Sequence, residues 1–264
     1  MNQVPTWLFG VVLSGVIAAV AYRARALSAS GALAAVAAGT LTMTAGWSWG
    51  GVLIAYFVSS ALLSRFRASR KESLTAGRLE KTGPRDATQV LANGGVFALA
   101  AIGYRLSPDP LWQALGAGAL AASAADTWAT EIGTLARAKP RSILDWRPVE
   151  TGTSGGITSQ GLVAGLSGAG FVALIAWLVR WPAVTAIAAL VGGAIGCLLD
   201  SVIGASLQAH RWCTTCEANT EQRIHRCGTH TTVTGGLRWL DNDGVNAIST
   251  IGGALFGATA ANYF

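Results

Sequence analysis

Two apolar runs of membrane length each end in an aspartate. Leu111 to Ala125 leads into Asp126, and Ala183 to Leu199 leads into Asp200, so each carboxylate follows about 22 to 26 Å of helix in a hydrocarbon layer about 30 Å thick. A charge at that depth costs at least ~2.5 kcal/mol without a partner or a cation, which points to a site. Around Asp126 the sequence SAADTWATEIG sets Ser123, Thr127 and Glu131 at four-residue intervals on one stripe, with Asp126 and Thr130 on the next. Acid and hydroxyl oxygens suit a hard divalent cation such as magnesium. A further segment, LDNDGVNAIST, brings Asn242, Asp243 and Asn246 to one helix entrance. Asp126, Glu131, Asp200 and Asp243 are therefore the magnesium candidates. The plainer readings are a buried ion pair that locks the bundle and, for Asp243, complementarity to a helix dipole.

Cations and amides that suit phosphate stand nearby. In KTGPRDATQVLANGG, Lys81 and Arg85 flank a Gly-Pro turn that aims them at an anion, and Asp86, Gln89 and Asn93 share one helical face. The remaining basic run of Arg65, Arg67, Arg70 and Lys71 suits contact with anionic lipid headgroups. A second basic connection, with Arg137, Lys139, Arg141 and Arg147, leads into PVETGTSGGITSQG. There Thr153 and Ser154 are possible helix caps, and the turn Thr153, Ser154, Gly155, Gly156 offers backbone amides at a helix start to an anion. No GxxxxGK[ST] occurs, so this is not a Walker loop. The phosphate candidates are Lys81, Arg85, Asn93, Arg141, Arg147, the turn from Thr153 to Gly156, Asn242 and Asn246. Asp126, Asp200, Lys81 and Arg85 are the expected catalytic set.

A separate cluster carries sulfur. CTTC at 213–216 is followed by His225, Cys227 and His230, which suits a tetrahedral zinc site of Cys213, Cys216, His225 and Cys227, with His230 as an alternate ligand. The alternative is a reduced, metal-free loop, and a stable disulfide is disfavoured on a cytoplasmic side. Cys197 reads as a small apolar residue in a helix.

The elements that must hold these groups are membrane helices. Hydrophobic residues make up 52% of the 264, charged residues 12%, and the mean hydropathy is +0.45, whereas soluble domains carry about 25% charge. Apolar stretches run over about 5–22, 27–46, 48–64, 88–106, 110–132, 159–180, 183–206 and 243–262. They predict an all-α, polytopic bundle of about eight spans, with seven possible, forming one integral membrane domain that contains a Cys/His loop over 207–240. The first stretch lacks a basic leader and a cleavage site and reads as a retained helix. Of the 19 Lys and Arg, all but Arg105 and Arg180 fall in or beside alternate connections. By the positive-inside rule those connections face the cytoplasm and both termini face out. The net charge of +6 thus reflects topology, and nucleic acid is a poor reading. Gly- and Ala-rich helices favour close packing in a single bundle. Oligomeric state is left open.

Five ordered motifs, KTGPRDATQVLANGG, SAADTWATEIG, KPRSILDWRPVETGTSGGITSQG, LLDSVIGASLQ and LDNDGVN, together resemble the integral membrane family of transmembrane protein 19 and the plant and cyanobacterial phytyl-phosphate kinases. The resemblance covers about residues 20 to 262. It implies phosphorylation of a bilayer-borne isoprenyl monophosphate (phytyl, geranylgeranyl or another polyprenyl) to the diphosphate, with magnesium and a nucleoside triphosphate, CTP or another. The residues suit that chemistry, because phosphoryl transfer needs cations around the phosphates and carboxylates to hold metal. Two other functions fit the same groups. A transporter or ion-coupled carrier also uses intramembrane carboxylates, although its ligands belong near the midplane. A lipid-phosphate cytidylyltransferase would release pyrophosphate instead of a nucleoside diphosphate.

Overall fold

Each expected apolar stretch forms a helix in the computed structural model, which describes residues 6–75, 77–81 and 83–263. The first stretch was expected to open at Pro5, which lies outside the described residues. In chain order the helices are α1 (Thr6–Arg23), α2 (Ala29–Thr44), α3 (Trp47–Arg65), α4 (Ala68–Thr75), α5 (Ala87–Leu106), α6 (Pro110–Gly133), α7 (Ser159–Leu178), α8 (Val184–Ser206) and α9 (Asn242–Tyr263). Of these, α3, α5, α7 and α8 are individually long and apolar enough to cross a membrane, and α1 and α2 are apolar but shorter. Large apolar side chains such as Leu33, Leu99, Val163, Leu166 and Trp177 face outward, as lipid-facing surfaces require.

Helix α6 is the axis of the bundle. It packs against α3, α5, α7, α8 and α9, and from Ala114 to Ala125 almost every residue is buried. A helix enclosed on all sides needs small residues, which is why this one is built from Ala and Gly where lipid-facing helices carry Leu and Val. A close crossing joins Gly118 of α6, Gly192 of α8 and Gly253 of α9. A methyl group at Gly118 or Gly192 would collide with the Gly253 carbonyl. At the far end, Trp49 is fully buried against Phe97, Tyr104 and Trp181, with ring centroids 4.7 to 5.5 Å from Trp49.

Three departures from the expected pattern matter. The basic connection after α3 contains a short helix, α4, which escapes hydropathy reading because it is polar. Two short strands, β1 (Arg141–Ser142) and β2 (Gly156–Ile157), pair antiparallel and separate the glycine turn from α7, which starts at Ser159 as the apolar stretch predicts. The Cys/His segment is a small antiparallel sheet of β3 (His210–Cys213), β4 (Ala218–Thr220) and β5 (Thr232–Gly235), in the order β4-β3-β5. The architecture is therefore mostly helical, with strands of two to four residues that are too short for alternation to reveal them.

Candidate functional site

The C-terminal ends of α1, α3, α6 and α8 and the N-terminal ends of α5, α7 and α9 surround a polar cavity of about 680 Å³. Asp126 stands seven residues before the end of α6 and Asp200 six before the end of α8, so both lie about 10 Å, or two turns, inside that end. Their carboxyl groups face each other within hydrogen-bonding reach. Ser249 of α9 donates to Asp200 Oδ2 at 3.2 Å, and Thr130 lies 3.5 Å from Asp126 Oδ1. Among the described residues no Lys, Arg or His forms an ion pair with either acid. Two carboxylates this close repel unless a proton or a cation lies between them, and the oxygen-only donor set of acids and hydroxyls fits magnesium.

The other two magnesium candidates are differently placed. Glu131 is ion-paired with Lys71, whose Nζ also donates to the carbonyls of Leu63 at 2.8 Å and Ser64 at 2.9 Å. This corrects the headgroup reading of Lys71: the short helix α4 folds it inward, where it is 8% exposed. Asp243 Oδ2 takes Lys81 Nζ at 2.5 Å and Thr88 at 2.9 Å. Lys81 also donates to Asp86 at 2.7 Å and to Thr88 at 3.1 Å. All three ammonium donors thus go to protein, because the entrances of α5 and α9 meet side by side. Burial works against the Lys81 charge, but hydrogen bonds to Asp243 and Asp86 outweigh it and hold the ammonium above its usual range. Burial also works against Asp86, yet Lys81, Thr88 and the Gln89 amide hold its carboxyl down at about 2. Asp86 and Gln89 form a capping box on α5, so this part of the expected polar face is spent on the helix start.

Asn93 is likewise engaged. Its Nδ2 donates to the Gln89 carbonyl at 2.8 Å, and its Oδ1 accepts from Ser123 at 2.7 Å, with Tyr56 hydroxyl 2.6 Å from Ser123. Arg85 is held by its backbone, which bonds to Ala26 O at 3.0 Å and to the Ser28 amide at 2.9 Å. Its guanidinium reaches Ser64 at 3.2 Å and lines the cavity without an ion pair among the described residues. Arg25 and Arg65 line the cavity as well, without an ion pair among the described residues. Sequence reading had credited these two only to topology and lipid.

The glycine turn lies over the end of α8. Gly155 has φ +73°, and a methyl group there would meet the Ala205 side chain and, at 2.6 Å, the Ser201 carbonyl, so only glycine lets the loop lie this close to the helix that carries Asp200. The amides of Ser154 and Gly155 donate to no backbone carbonyl among the described residues, and both residues line the cavity. Thr153 and Ser154 do not cap α7. Thr158 does so, accepting from the Gly161 amide at 3.0 Å, because the β1–β2 ribbon intervenes. Arg141 and Arg147 turn outward: Arg141 donates to the Trp146 carbonyl at 2.7 Å, and Arg147 is solvent-exposed beside Asp145. Neither lines the cavity. Asn242 and Asn246 do.

Two acids were missed. Glu80 Oε2 accepts from the Asn242 amide at 3.2 Å and so caps α9 from another segment. Its carboxyl is raised by burial, against the lowering effect of that amide. Glu221 is buried and hydrogen-bonded to Ser154, and burial pushes it up to about 7. No spacing rule links Glu221 to residue 154, so nothing local in the sequence could have found the contact.

Away from the cavity, one ligand atom from each of Cys213, Cys216, His225 and Cys227 lies within 4.8 Å of the others. His230 is not among them. Hydrogen bonding with Thr229 and His225 pulls the Cys227 thiol down to about 5.

Relatives of this chain share most of its length. Protein PGR of Arabidopsis thaliana is 28% identical across 92% of each chain. An uncharacterized membrane protein of Synechocystis is 29% identical over 94% of this chain and 88% of its own. Protein VTE6, chloroplastic, of Arabidopsis thaliana is 29% identical over 84% of this chain and 62% of its own. No solved structure matches the fold. A helical bundle with lipid-facing surfaces, matched over residues 12–254, identifies the chain as a member of the integral membrane protein family DUF92.

Proposed function

We propose that the protein transfers the terminal phosphoryl group of a nucleoside triphosphate to an isoprenyl monophosphate held in the bilayer, at the cytoplasmic leaflet. The observation that carries this reading is the junction of two unlike cavities. The polar cavity meets a narrow apolar fissure between α1, α2, α3 and α5, lined by Leu13, Ile17, Met43, Leu53 and Ile54, and Phe57, Arg85, Gln89 and Asn93 border both. An amphiphile with one apolar tail and a phosphate head matches that change of polarity. The likeness of the five motifs to phytyl-phosphate kinases supports the same substrate class.

In this reading Arg85 takes the isoprenyl phosphate at the junction, while Arg25, Arg65 and the Ser154–Gly155 amides take the nucleotide phosphates. Asp126 and Asp200 would hold magnesium, which supplies charge neutralisation on the transferring group. An oxygen of the isoprenyl phosphate forms the new bond to the γ-phosphorus as the bond from that phosphorus to the β,γ-bridging oxygen breaks. The bridging oxygen leaves with the nucleoside diphosphate. The attacking oxygen is already anionic, so the site needs no strong base. The acids lie two turns from one end of the bundle, where a carrier would need them at its middle.

Purified protein given geranylgeranyl or phytyl phosphate, magnesium and each nucleotide in turn should yield the diphosphate and a free nucleoside diphosphate. A nucleotide-linked lipid with pyrophosphate would mark a cytidylyltransferase, and absence of a diphosphate product with every pair would sink the proposal.

A further inference from the structure

We propose that Cys213, Cys216, His225 and Cys227 bind one zinc ion, and that this ion pins the extramembrane connections forming the mouth of the cavity. The inference stands apart from the phosphotransferase reading. Tetrahedral zinc with Zn–S bonds of about 2.3 Å and a Zn–N bond of about 2.0 Å sets its ligand atoms roughly 3.5 to 3.8 Å apart, within a few tenths of an ångström of the spacing seen here. Cys213 Sγ lies 3.5 Å from Cys227 Sγ, and His225 Nδ1 lies 3.3 Å from Cys227 Sγ. A disulfide would bring two sulfurs to about 2.05 Å, and all three cysteines are free.

The backbone forms two facing turns around this point. Cys213 closes β3 opposite Ala218, with the left-handed Glu217 (φ +49°) completing the CTTC turn. His225 starts a second turn in which the Gly228 amide bonds back to the His225 carbonyl at 2.8 Å. Thr215 and Thr229 join the two turns through hydroxyls 2.7 Å apart. The surrounding strands are three or four residues long, too little core to hold themselves without a staple.

What the staple secures is visible in the neighbouring contacts. The Glu221 amide donates to the Arg78 carbonyl at 2.8 Å, Thr220 Oγ1 to Gly77 O at 3.1 Å, and Gln222 Nε2 to Leu79 O at 3.1 Å. The Glu221 carboxyl meets Ser154 of the glycine turn. The small sheet therefore grips 77–79 from one side and the turn at 154 from the other, and both segments line the cavity through Leu79, Glu80 and Ser154.

Full-length protein purified in detergent without added metal should contain one zinc per chain by mass spectrometry, and cobalt exchange should give the visible absorption of a tetrahedral thiolate site. Cys216→Ser, at an exposed position, should abolish the stoichiometric zinc, and His230→Ala should leave it intact. Chelation should speed amide exchange at 77–80 and 152–156 by about tenfold or more, with exchange in α6 unchanged. Protein that holds no zinc, or a Cys213–Cys227 disulfide in reduced preparations, overturns the site. Zinc retained by both Cys216→Ser and His225→Ala also overturns it. Zinc that leaves without altering exchange at 77–80 overturns the pinning role.

Discussion

Two acidic centres lie close together at one end of this bundle and differ in what neutralises them. At the first, Asp86 and Asp243 share the ammonium of Lys81, and every donor on that nitrogen is spoken for. At the second, Asp126 and Asp200 face each other across α6 and α8 with hydroxyls beside them and no ion-paired cation among the described residues. The first is neutralised within the protein, whereas the second leaves two facing carboxyl groups that need a shared proton or a cation between them. An acid that carries its own lysine holds helices together, and an acid without one is the place to look for a ligand.

The sharpest way to break this comparison is to remove the unpaired acids. Asp126→Asn or Asp200→Asn should lower magnesium-dependent turnover by at least about 10³-fold. Without magnesium, each of these variants should melt no lower than the parent, because one of two facing carboxylates is gone, and magnesium should no longer raise the melting temperature. Asp243→Asn should do the reverse in differential scanning fluorimetry, losing stability while keeping the response to magnesium.

Next in size is the Lys71–Glu131 pair. Lys71→Met leaves a part-buried carboxylate alone and should cost about 3 kcal/mol, most of it regained in Lys71→Met/Glu131→Leu, measured by denaturant titration. Full recovery would mark the pair as structural. A double variant that stays unstable would show that Lys71 matters mainly through its bonds to the Leu63 and Ser64 carbonyls.

Glu221 gives a pH signature of up to about 3 kcal/mol. Its carboxyl rises from 4.5 to about 7 on burial, so the folded protein binds this proton more tightly than the unfolded chain. Stability is then greatest below 4.5 and falls as pH rises through about 7. Glu221→Gln should flatten that dependence and melt higher than the parent at about pH 8. An unchanged pH profile would remove Glu221 from the account. Smallest is Arg85→Lys, which keeps the charge and loses the planar fork. It should raise the KM for isoprenyl phosphate about tenfold with little change in kcat, and an equal fall in kcat would place Arg85 at the reacting phosphorus instead.

Much of the scaffold was legible because hydrophobic length and charge asymmetry are local quantities. The apolar stretches, the placement of Asp126 and Asp200 two turns inside one end, and the spacing of the Cys/His cluster could all be read along the chain. The errors fell where neutralisation depends on partners far away in sequence. Lys71 looked like a headgroup contact until α4 turned it toward Glu131, 60 residues on. Lys81 reads along the chain as a phosphate ligand, whereas α9 brings Asp243, 162 residues on, within reach of its ammonium. Arg141 and Arg147 sit in the right motif on the outward side of a short ribbon.

By itself the chain determined its solvent, its helices and which end carries the charge, since burial of 20-residue apolar segments and the cost of stray carboxylates are fixed by composition and order. Only the tertiary structure decided which acids are paired and which remain open, because a Coulomb interaction depends on distance in space. Where small residues let α6, α8 and α9 meet, the close approach of those helices sets that distance.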